Sequence, residues 1–243
     1  MTDKPLSGRI TLVTGATRGI GYEAALALAA AGSQIIAIGR TQGALEELDD
    51  AITSAGGQCT LVPMDLKNFD GIDQLGAMIN ERWGRLDGLF GNAGLLGELM
   101  PSNQIEPKTF EDVFAVNMTA NYRLIRSLDP LLRLSESARA VFMTSSVAQG
   151  GRAFWGAYAA SKSALETFVR GYAEEVGVTN IKVNLLNPGG MATRMRAKAV
   201  PGEDPSTLPQ PAELAPLVVE MLSPGYEENG TRINFRETKY YKN

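Results

Sequence analysis

Short apolar runs alternate with amphipathic stretches along nearly the whole 243-residue chain, and this pattern restricts the fold most. The strand-like runs are residues 9–14, 34–39, 58–64, 86–90, 140–144, 181–186 and, near the end, 233–235. The helical stretches are residues 20–31, 44–54, 68–83, 105–133 and 157–176. Because the runs are continuously apolar, they indicate strands buried on both faces. The pattern predicts an α/β fold, a doubly wound parallel sheet of about seven strands with helices on both faces.

The length and the unbroken alternation predict a single domain over residues 1–243. One segment differs from the rest: residues 189–216 contain prolines at positions 201, 205, 209, 211 and 216 and cannot form one regular helix. We expect a mobile loop or a lid there. We also expect a break in the helical stretch 105–133 near Asp129-Pro130.

Composition excludes several kinds of active site. There is no histidine and one cysteine, Cys59, which excludes Ser-His-Asp hydrolases, Cys-His proteases, histidine-ligated zinc and an intramolecular disulfide. Protons in such an enzyme must move through Tyr, Lys, Asp, Glu or Ser. The net charge of −4 predicts neither nucleic acid nor anionic membranes as partners. With no apolar stretch of signal-peptide or membrane-spanning length, the chain is predicted to be cytoplasmic.

A glycine-rich turn follows the first predicted strand and leads directly into a helix. Glycines let the backbone approach a ligand closely, and the helix start offers unpaired N–H groups that suit a diphosphate. The turn is therefore predicted to bind a dinucleotide; the alternative is a tight strand–helix turn without a ligand. The predicted binding residues are Gly15, Thr17, Arg18, Gly19, Ile20 and Gly21.

The end of the second predicted strand bears on the choice of nucleotide. NAD-binding folds place a carboxylate there for the ribose 2′-hydroxyl, whereas this chain has Gly39 followed by Arg40. A guanidinium favours the 2′-phosphate of NADP(H), and Arg18 offers a second cation, so NADP(H) is preferred, with NAD(H) as the alternative. Arg40 is otherwise a solvated loop residue. Asp65 and Leu66, after the third strand, are candidates to contact the adenine, although Asp65 equally fits a turn or helix cap.

Tyr158 and Lys162 lie four residues apart, on one face of a predicted helix. An unperturbed phenol has a pKa of about 10, and a neighbouring ammonium lowers that pKa. Ser145 and Ser146 follow the fifth strand, at the edge where open α/β sheets bind ligands. The Tyr–Lys spacing alone is common in amphipathic helices, but with the glycine turn and the serines it predicts a proton-transfer site.

Together these motifs resemble the short-chain dehydrogenase/reductase family over nearly the whole chain. The matching residues are Thr14-Gly15 with Gly19-Ile20-Gly21, Asn92-Ala93-Gly94, Asn117, Ser145-Ser146, Tyr158, Lys162, Asn187-Pro188-Gly189 and Thr193. The resemblance implies a Rossmann-like fold and an NAD(P)-dependent oxidoreductase that acts on a small-molecule carbonyl or secondary alcohol. It also implies a homodimer or homotetramer.

The resemblance further implies roles for individual residues. Tyr158 is expected to be the general acid/base, and Lys162 to bind the nicotinamide ribose and lower the pKa of Tyr158. Ser146 is expected to hydrogen-bond the substrate oxygen, chosen over Ser145 because Val147-Ala148 follows it. Asn117 is expected to support a water chain to Lys162. The remaining cofactor contacts are expected from Asn92, Ala93, Gly94, Pro188, Gly189, Met191 and Thr193.

Three features depart from the family's pattern. Its usual Asn-Asn-Ala-Gly reads Gly91-Asn92-Ala93-Gly94 here, which is expected to loosen one backbone contact. The segment from Ser146 to Tyr158 is one residue short. The C-terminal strand lacks the family's usual Asp-Gly-Gly ending, which weakens the expectation of the common tetramer contact.

Residues around the motifs give open alternatives for the substrate. Phe154 and Trp155 either line its pocket or pack at a loop–helix junction. Arg194, Arg196 and Lys198 either attract an anionic substrate or are solvated charges. The leading prediction is an NADP(H)-dependent oxidoreductase, and the alternative is a catalytically idle NADP-binding sensor or scaffold.

Overall fold

A computed structural model describes residues 4–241, in which seven strands form one parallel sheet. The strands are β1 (Ile10–Thr14), β2 (Gln34–Gly39), β3 (Gln58–Pro63), β4 (Gly88–Gly91), β5 (Arg139–Met143), β6 (Lys182–Asn187) and β7 (Arg232–Asn234). Their order is β3-β2-β1-β4-β5-β6-β7. The chain adds strands outward from β1 in one direction and then outward from β4 in the other. The predicted doubly wound, Rossmann-like fold is confirmed.

Helices connect the strands and cover both faces of the sheet. They are α1 (Gly19–Ala30), α2 (Gln42–Ser54), α3 (Phe69–Trp83), α4 (Pro107–Phe114), α5 (Ala120–Leu132), α6 (Gly156–Glu175), α7 (Arg194–Ala199) and α8 (Pro211–Met221). One apolar core packs α1, α2 and α8 against the sheet, and the other packs α3, α5 and α6 against the opposite face. The central strands β1, β4 and β5 are buried along their whole length, as their continuous apolar runs predict.

The carboxyl ends of β1 and β4 lie side by side where the strand order reverses, with Val13 paired to Phe90. Ligands of open α/β sheets bind in the crevice at this point. The segments that follow β1, β4, β5 and β6 all leave the sheet at this carboxyl edge. The residues predicted from the sequence for the site therefore converge here.

The long helical stretch is irregular at a different place from the predicted one. Pro130 lies inside α5, which continues to Leu132, so the predicted break is wrong. Only two helical residues follow Pro130, so its missing N–H disturbs the end of the helix alone. The irregularity is instead a π-helical turn, Ala115–Thr119, between α4 and α5.

The segment 189–216 combines loops with parts of two helices. It contains α7 and a 3-10 turn at Pro205–Thr207, and its last six residues begin α8. Pro211 occupies the first turn of α8, where a missing N–H costs no hydrogen bond, and Pro216 lies inside that helix. The helix start at Pro211 therefore shortens the irregular segment predicted from the prolines. Between residues 4 and 241 no helix combines the length and the apolarity needed to cross a bilayer.

Candidate active site

The glycine-rich turn joins β1 to α1 and keeps backbone close to backbone. Gly15 and Gly19 have φ values of +67° and +54°, in the left-handed region that favours glycine. A Cβ at Gly21 would lie 2.2 Å from the Gly15 carbonyl oxygen, so only glycine fits there. No side chain caps the start of α1 and its first turn carries no acidic residue. The turn thus offers backbone N–H groups without a competing negative charge, which fits a diphosphate.

The Thr14 side chain joins the ends of β1 and β4 beside this turn. Its hydroxyl oxygen accepts hydrogen bonds from the backbone N–H groups of Asn92 and Ala93, each at 3.0 Å. Asn92 Nδ2 donates in return to the Thr14 carbonyl oxygen at 2.9 Å. A Cβ at Gly91 would lie 2.4 Å from the Phe142 ring. The glycine that replaces the family's asparagine therefore leaves room for this ring.

The end of β2 has no space for a carboxylate. A Cβ at Gly39 would lie 2.4 Å from Cγ2 of Thr17 in the glycine turn. The next residue, Arg40, has a 66% exposed side chain whose Nη1 lies 3.9 Å from Oδ2 of Asp65. Asp65 also accepts a hydrogen bond from the Lys67 backbone N–H at 2.9 Å, as expected of a turn aspartate. This corner therefore presents an exposed guanidinium, and the Arg18 side chain is exposed at the adjacent turn.

Tyr158 lies in the first turn of α6 and is 8% exposed. Burial raises the pKa of its hydroxyl to about 12, and a hydrogen bond with the Ser145 side chain opposes this rise. Ser146, the serine predicted from the sequence, is exposed and begins a 3-10 turn. Ser145, rather than the predicted Ser146, is the serine whose side chain acts on the phenol in this structure. The segment to Tyr158 is one residue short when it is counted from Ser146. It gains that residue when it is counted from Ser145.

Lys162 is buried one helical turn after Tyr158, with 3% of its surface exposed. Its Nζ donates a hydrogen bond to the Met143 carbonyl oxygen at 2.7 Å and lies 6.0 Å from the centre of the Tyr158 ring. Burial lowers the pKa of Lys162 to about 8, and the Glu166 carboxylate opposes this shift. Desolvation is the largest influence on the pKa of the Tyr158 phenol, and the lowering of that pKa by Lys162 stays a prediction.

Asn117 lies in the π-helical turn and is fully buried. Its Nδ2 donates to the Leu95 carbonyl oxygen and to Ser161 Oγ, both at 2.9 Å, and its Oδ1 accepts from the Leu95 N–H at 2.7 Å. The side chain therefore fixes the loop after β4 against α6. A Cβ at Gly94, in that loop, would lie 3.5 Å from Asn117 Oδ1 and 3.7 Å from Lys162 Nζ. Gly94 thus keeps the space beside these two groups open.

The segment after β6 approaches the glycine turn. A Cβ at Gly19 would lie 3.6 Å from Cγ2 of Thr193, whose Oγ1 accepts from the Arg196 N–H and caps α7. Gly189, with φ +71°, donates its N–H to Asn187 Oδ1 at 3.2 Å, and Pro188 between them is half-buried.

Two residues predicted to bind the cofactor have side chains that belong to the core. Met191 is 2% exposed and Leu66 is 7% exposed, and both pack among apolar residues. Their side chains are therefore committed to the fold, which leaves their backbone groups for any ligand.

Apolar side chains surround Tyr158. They are Leu96, Val147 and Ala159, with the half-buried Leu99, Trp155, Met195 and Ala199 against them. Trp155 contacts Tyr158 edge-to-face at 6.0 Å between ring centres, whereas Phe154 is 57% exposed with φ +72°. Of the alternatives left open, Trp155 therefore packs against the Tyr158 ring, whereas Phe154 is exposed. The wall residues Leu96 and Leu99 have no sequence signal beyond following the Asn92-Ala93-Gly94 motif.

Two of the three cations in residues 189–216 have partners within the chain. Arg196 forms an ion pair with Glu203, and Lys198 Nζ donates to the Gly97 carbonyl oxygen at 3.0 Å. The pair raises the pKa of Arg196 and lowers that of Glu203. Arg194 is exposed. Arg196 and Lys198 therefore tie their segment to the protein rather than offering free charges to a substrate.

Comparison with known proteins agrees with this geometry. The sequence profile described as short chain dehydrogenase matches residues 9–204. The uncharacterized oxidoreductase YciK of Escherichia coli K12 is 40% identical over 220 residues, which cover 89% of this chain and 87% of YciK. A short chain dehydrogenase of Shigella flexneri 2a, crystallised with NADP, is 38% identical with a TM-score of 0.92 over 96% of this chain and 99% of its own. One from Escherichia coli CFT073, crystallised with NADPH, is 38% identical with a TM-score of 0.90 over the same shares.

The chain therefore belongs to the short-chain dehydrogenase family of NAD(P)-dependent oxidoreductases.

Proposed function

We propose that this protein is an NADP(H)-dependent carbonyl reductase, able to oxidise the corresponding alcohols, with Tyr158 as the general acid/base. One observation carries the proposal. A buried phenol, whose pKa is influenced by the Ser145 side chain, lies one helical turn from a buried lysine, at the sheet edge that also holds the glycine turn. A protein that only binds a nucleotide has no need of this arrangement.

The preference for NADP(H) rests on the corner formed by Gly39 and Arg40. Thr17 occupies the space that a carboxylate at position 39 would need, and the exposed guanidinium of Arg40 can pair with a 2′-phosphate. Two relatives that are 38% identical were crystallised with NADP and NADPH, which supports the same choice. The glycine turn, Asn92-Ala93-Gly94 and Thr193 would hold the nucleotide.

When bound, the nucleotide supplies the hydride, and the residues of this chain handle the proton. Tyr158 donates its proton to the carbonyl oxygen, and its raised pKa keeps it protonated, and therefore able to donate, at neutral pH. Ser145 donates a hydrogen bond to the same oxygen as negative charge develops there. The Lys162 ammonium stabilises the phenolate that remains. Asn117 keeps the loop after β4 and helix α6 in register.

The substrate we propose carries an apolar group next to an uncharged carbonyl. The walls around Tyr158 are aliphatic and aromatic, and burying such a group against them is favourable. Because Arg196 and Lys198 already interact with other groups of the protein, their charges give no reason to propose an anionic substrate. Cytoplasmic location, assembly as a homodimer or homotetramer, and residues 189–216 as the lid of one domain remain predictions.

A substrate screen tests the proposal. Wild-type protein is assayed for NADPH oxidation with aliphatic and aromatic aldehydes and ketones, 3-oxoacyl thioesters, sugars and carbonyls that carry a carboxylate, and the series is repeated with NADH. We expect turnover of apolar carbonyls and at least about tenfold higher kcat/KM with NADPH, which equals about 1.4 kcal/mol. Nucleotide binding without turnover of any carbonyl would instead identify an idle binder, and a preference for NADH would contradict the role given to Arg40.

A further inference from the structure

Met143, the last residue of β5, and the two residues after it each interact with a side chain of α6. Lys162 Nζ donates to the Met143 carbonyl oxygen at 2.7 Å. One residue on, the Thr144 hydroxyl donates to Glu166 Oε1 at 2.6 Å, and the side chain of the next residue, Ser145, lowers the pKa of Tyr158. Tyr158, Lys162 and Glu166 are spaced by four residues and therefore share one helix face.

Arg232 of β7 completes this arrangement from the other side. Its Nε donates to Glu166 Oε1 at 2.8 Å, and its Nη2 donates to the Ser145 carbonyl oxygen at 3.2 Å. The side chains of Arg232 and Glu166 are only 7% and 6% exposed. The catalytic serine is thus held through its own carbonyl oxygen and through the hydroxyl of the residue before it.

We propose that Glu166 and Arg232 are a positioning pair for the proposed reaction: they aim Ser145 at the Tyr158 hydroxyl, and Glu166 keeps Lys162 in its cationic form. The second part of this inference rests on the proposed function, because a charged Lys162 matters only if the phenol ionises. Neither residue touches the substrate carbonyl or the phenol.

Glu166 is the carboxylate whose charge acts on the buried ammonium of Lys162. Burial lowers the pKa of Lys162 to about 8 and the Glu166 carboxylate opposes this. Arg232 neutralises part of that carboxylate, as does Arg170, whose Nη2 donates to Glu166 Oε2 at 3.3 Å. The charged ends of β5 and β6, at Arg139 and Lys182, are at the opposite edge of the sheet. Polar neighbours also contact the pair: the Thr144 hydroxyl donates to Glu166 Oε1, and Arg232 Nη1 donates to Asn234 Oδ1 at 2.5 Å.

Two substitutions distinguish the effect of the Glu166 charge from the effect of its hydrogen bond with Thr144. Glu166→Gln keeps an acceptor for Thr144 and removes the negative charge; Thr144→Val removes the hydrogen bond and keeps the charges. The matched control is Asp87→Asn, which changes a buried carboxylate at the opposite edge of the sheet. If Glu166→Gln does not fold, Glu166→Gln/Arg232→Gln removes both members of this buried ion pair, so that neither is left without the other.

The readout is the pH profile of NADPH-dependent carbonyl reduction. We expect Glu166→Gln to lower kcat about 10- to 100-fold, the range typical for loss of a group that orients another. Its alkaline limb should move to lower pH by about one unit, because Lys162 then loses its proton earlier. Thr144→Val should lower kcat without moving the limb, and Asp87→Asn should change neither. An unmoved limb in Glu166→Gln, or unchanged kcat in Thr144→Val, overturns the corresponding part of the proposal.

A second measurement does not depend on turnover. Lys162 releases its proton at a lower pH in the folded than in the unfolded protein, so its own contribution to the stability of the ligand-free protein rises with pH above about 8. Urea unfolding of ligand-free Glu166→Gln should show this rise beginning about one pH unit lower. If the wild type reduces no carbonyl, the proposed function fails while this shift still tests the effect of the Glu166 charge on Lys162. An identical onset in both proteins overturns it.

Discussion

The two ends of the sheet's central strands both bury charged groups but use them differently. At the amino edge, Asp87 accepts hydrogen bonds from the Ile10 N–H at 2.9 Å and from Ser135 Oγ at 2.6 Å, and pairs with Arg85. Arg9 donates to the Asp87 carbonyl oxygen at 2.8 Å. These polar groups hydrogen-bond and pair with one another and with the backbone at the strand ends. Their role at this edge is therefore to stabilise the fold.

At the carboxyl edge the polar groups keep capacity for a ligand. The Lys162 ammonium has three donors and gives one hydrogen bond to the described chain, to Met143. Burial shifts the pKa of both Lys162 and Tyr158 toward the neutral form. The contrast shows that burial of charge alone does not mark a site. What distinguishes the carboxyl edge is a buried ammonium with donors left over beside the glycine turn.

Among the predictions that compare the two edges, the largest expected effect on kcat comes from substitution at the two adjacent serines of the carboxyl edge. Ser145→Ala should lower kcat about 10²- to 10³-fold, because it removes a donor to the developing charge. Ser146→Ala is the matched control and should leave kcat nearly unchanged, since Ser146 is exposed. Steady-state kinetics with the best carbonyl from the screen checks both. The reverse ranking would restore the original sequence-based choice of serine.

A substitution at the amino edge should have the opposite signature. Asp87→Asn should destabilise the fold by about 3 kcal/mol, because it leaves buried donors and the Arg9 charge without their anion. The folded fraction should keep its wild-type kcat. Urea denaturation followed by kinetics below the unfolding range measures both quantities. Normal stability combined with lost activity would show that the two edges are coupled.

The pH dependence of stability isolates Lys162. Its pKa is about 8 when folded and 10.5 as the ordinary value, so between these pH values the unfolded chain binds more protons. The stability of the wild type relative to Lys162→Met should therefore rise with pH in this window, by about 1.4 kcal/mol per pH unit at most. Chemical denaturation of both proteins from about pH 7 to about pH 10 tests whether this stability difference rises with pH. A fall over that window would mean that the folded protein raises the pKa of Lys162.

The smallest expected effect lies at the exposed corner beside the crevice. Arg40→Ala should raise the KM for NADPH about tenfold and leave the KM for NADH unchanged, since one charge-assisted contact to a 2′-phosphate is lost. Arg194→Ala, which removes another exposed cation, serves as the comparison and should affect neither nucleotide. An equal loss for both nucleotides would assign Arg40 a general structural role.

Most of the architecture follows from the sequence, because strands buried on both faces must be continuously apolar. The convergence of the glycine turn, Tyr158 and Lys162 follows too, since carboxyl ends of parallel strands share an edge. Local proline rules misplaced the helix break at Pro130 and extended the irregular segment to Pro216, because tertiary packing tolerates proline near helix ends and inside α8.

Site details that depend on three-dimensional neighbours lay beyond the sequence. The choice between Ser145 and Ser146 depends on which hydroxyl faces the phenol, and a motif one residue short was the only signal. Glu166 could have been found as the next residue on the face of Tyr158 and Lys162. Arg232 could not, because it reaches the site from β7, 66 residues further along the chain than Glu166.

The most direct test of the central claim, that the phenol of Tyr158 delivers the proton, is the kinetic comparison of Tyr158→Phe with the wild type in NADPH-dependent reduction of an apolar carbonyl. We predict a fall in kcat of about 10²- to 10⁴-fold with NADPH affinity nearly intact, since only the acid is removed. A Tyr158→Phe protein that reduces the carbonyl at the wild-type rate would contradict the account.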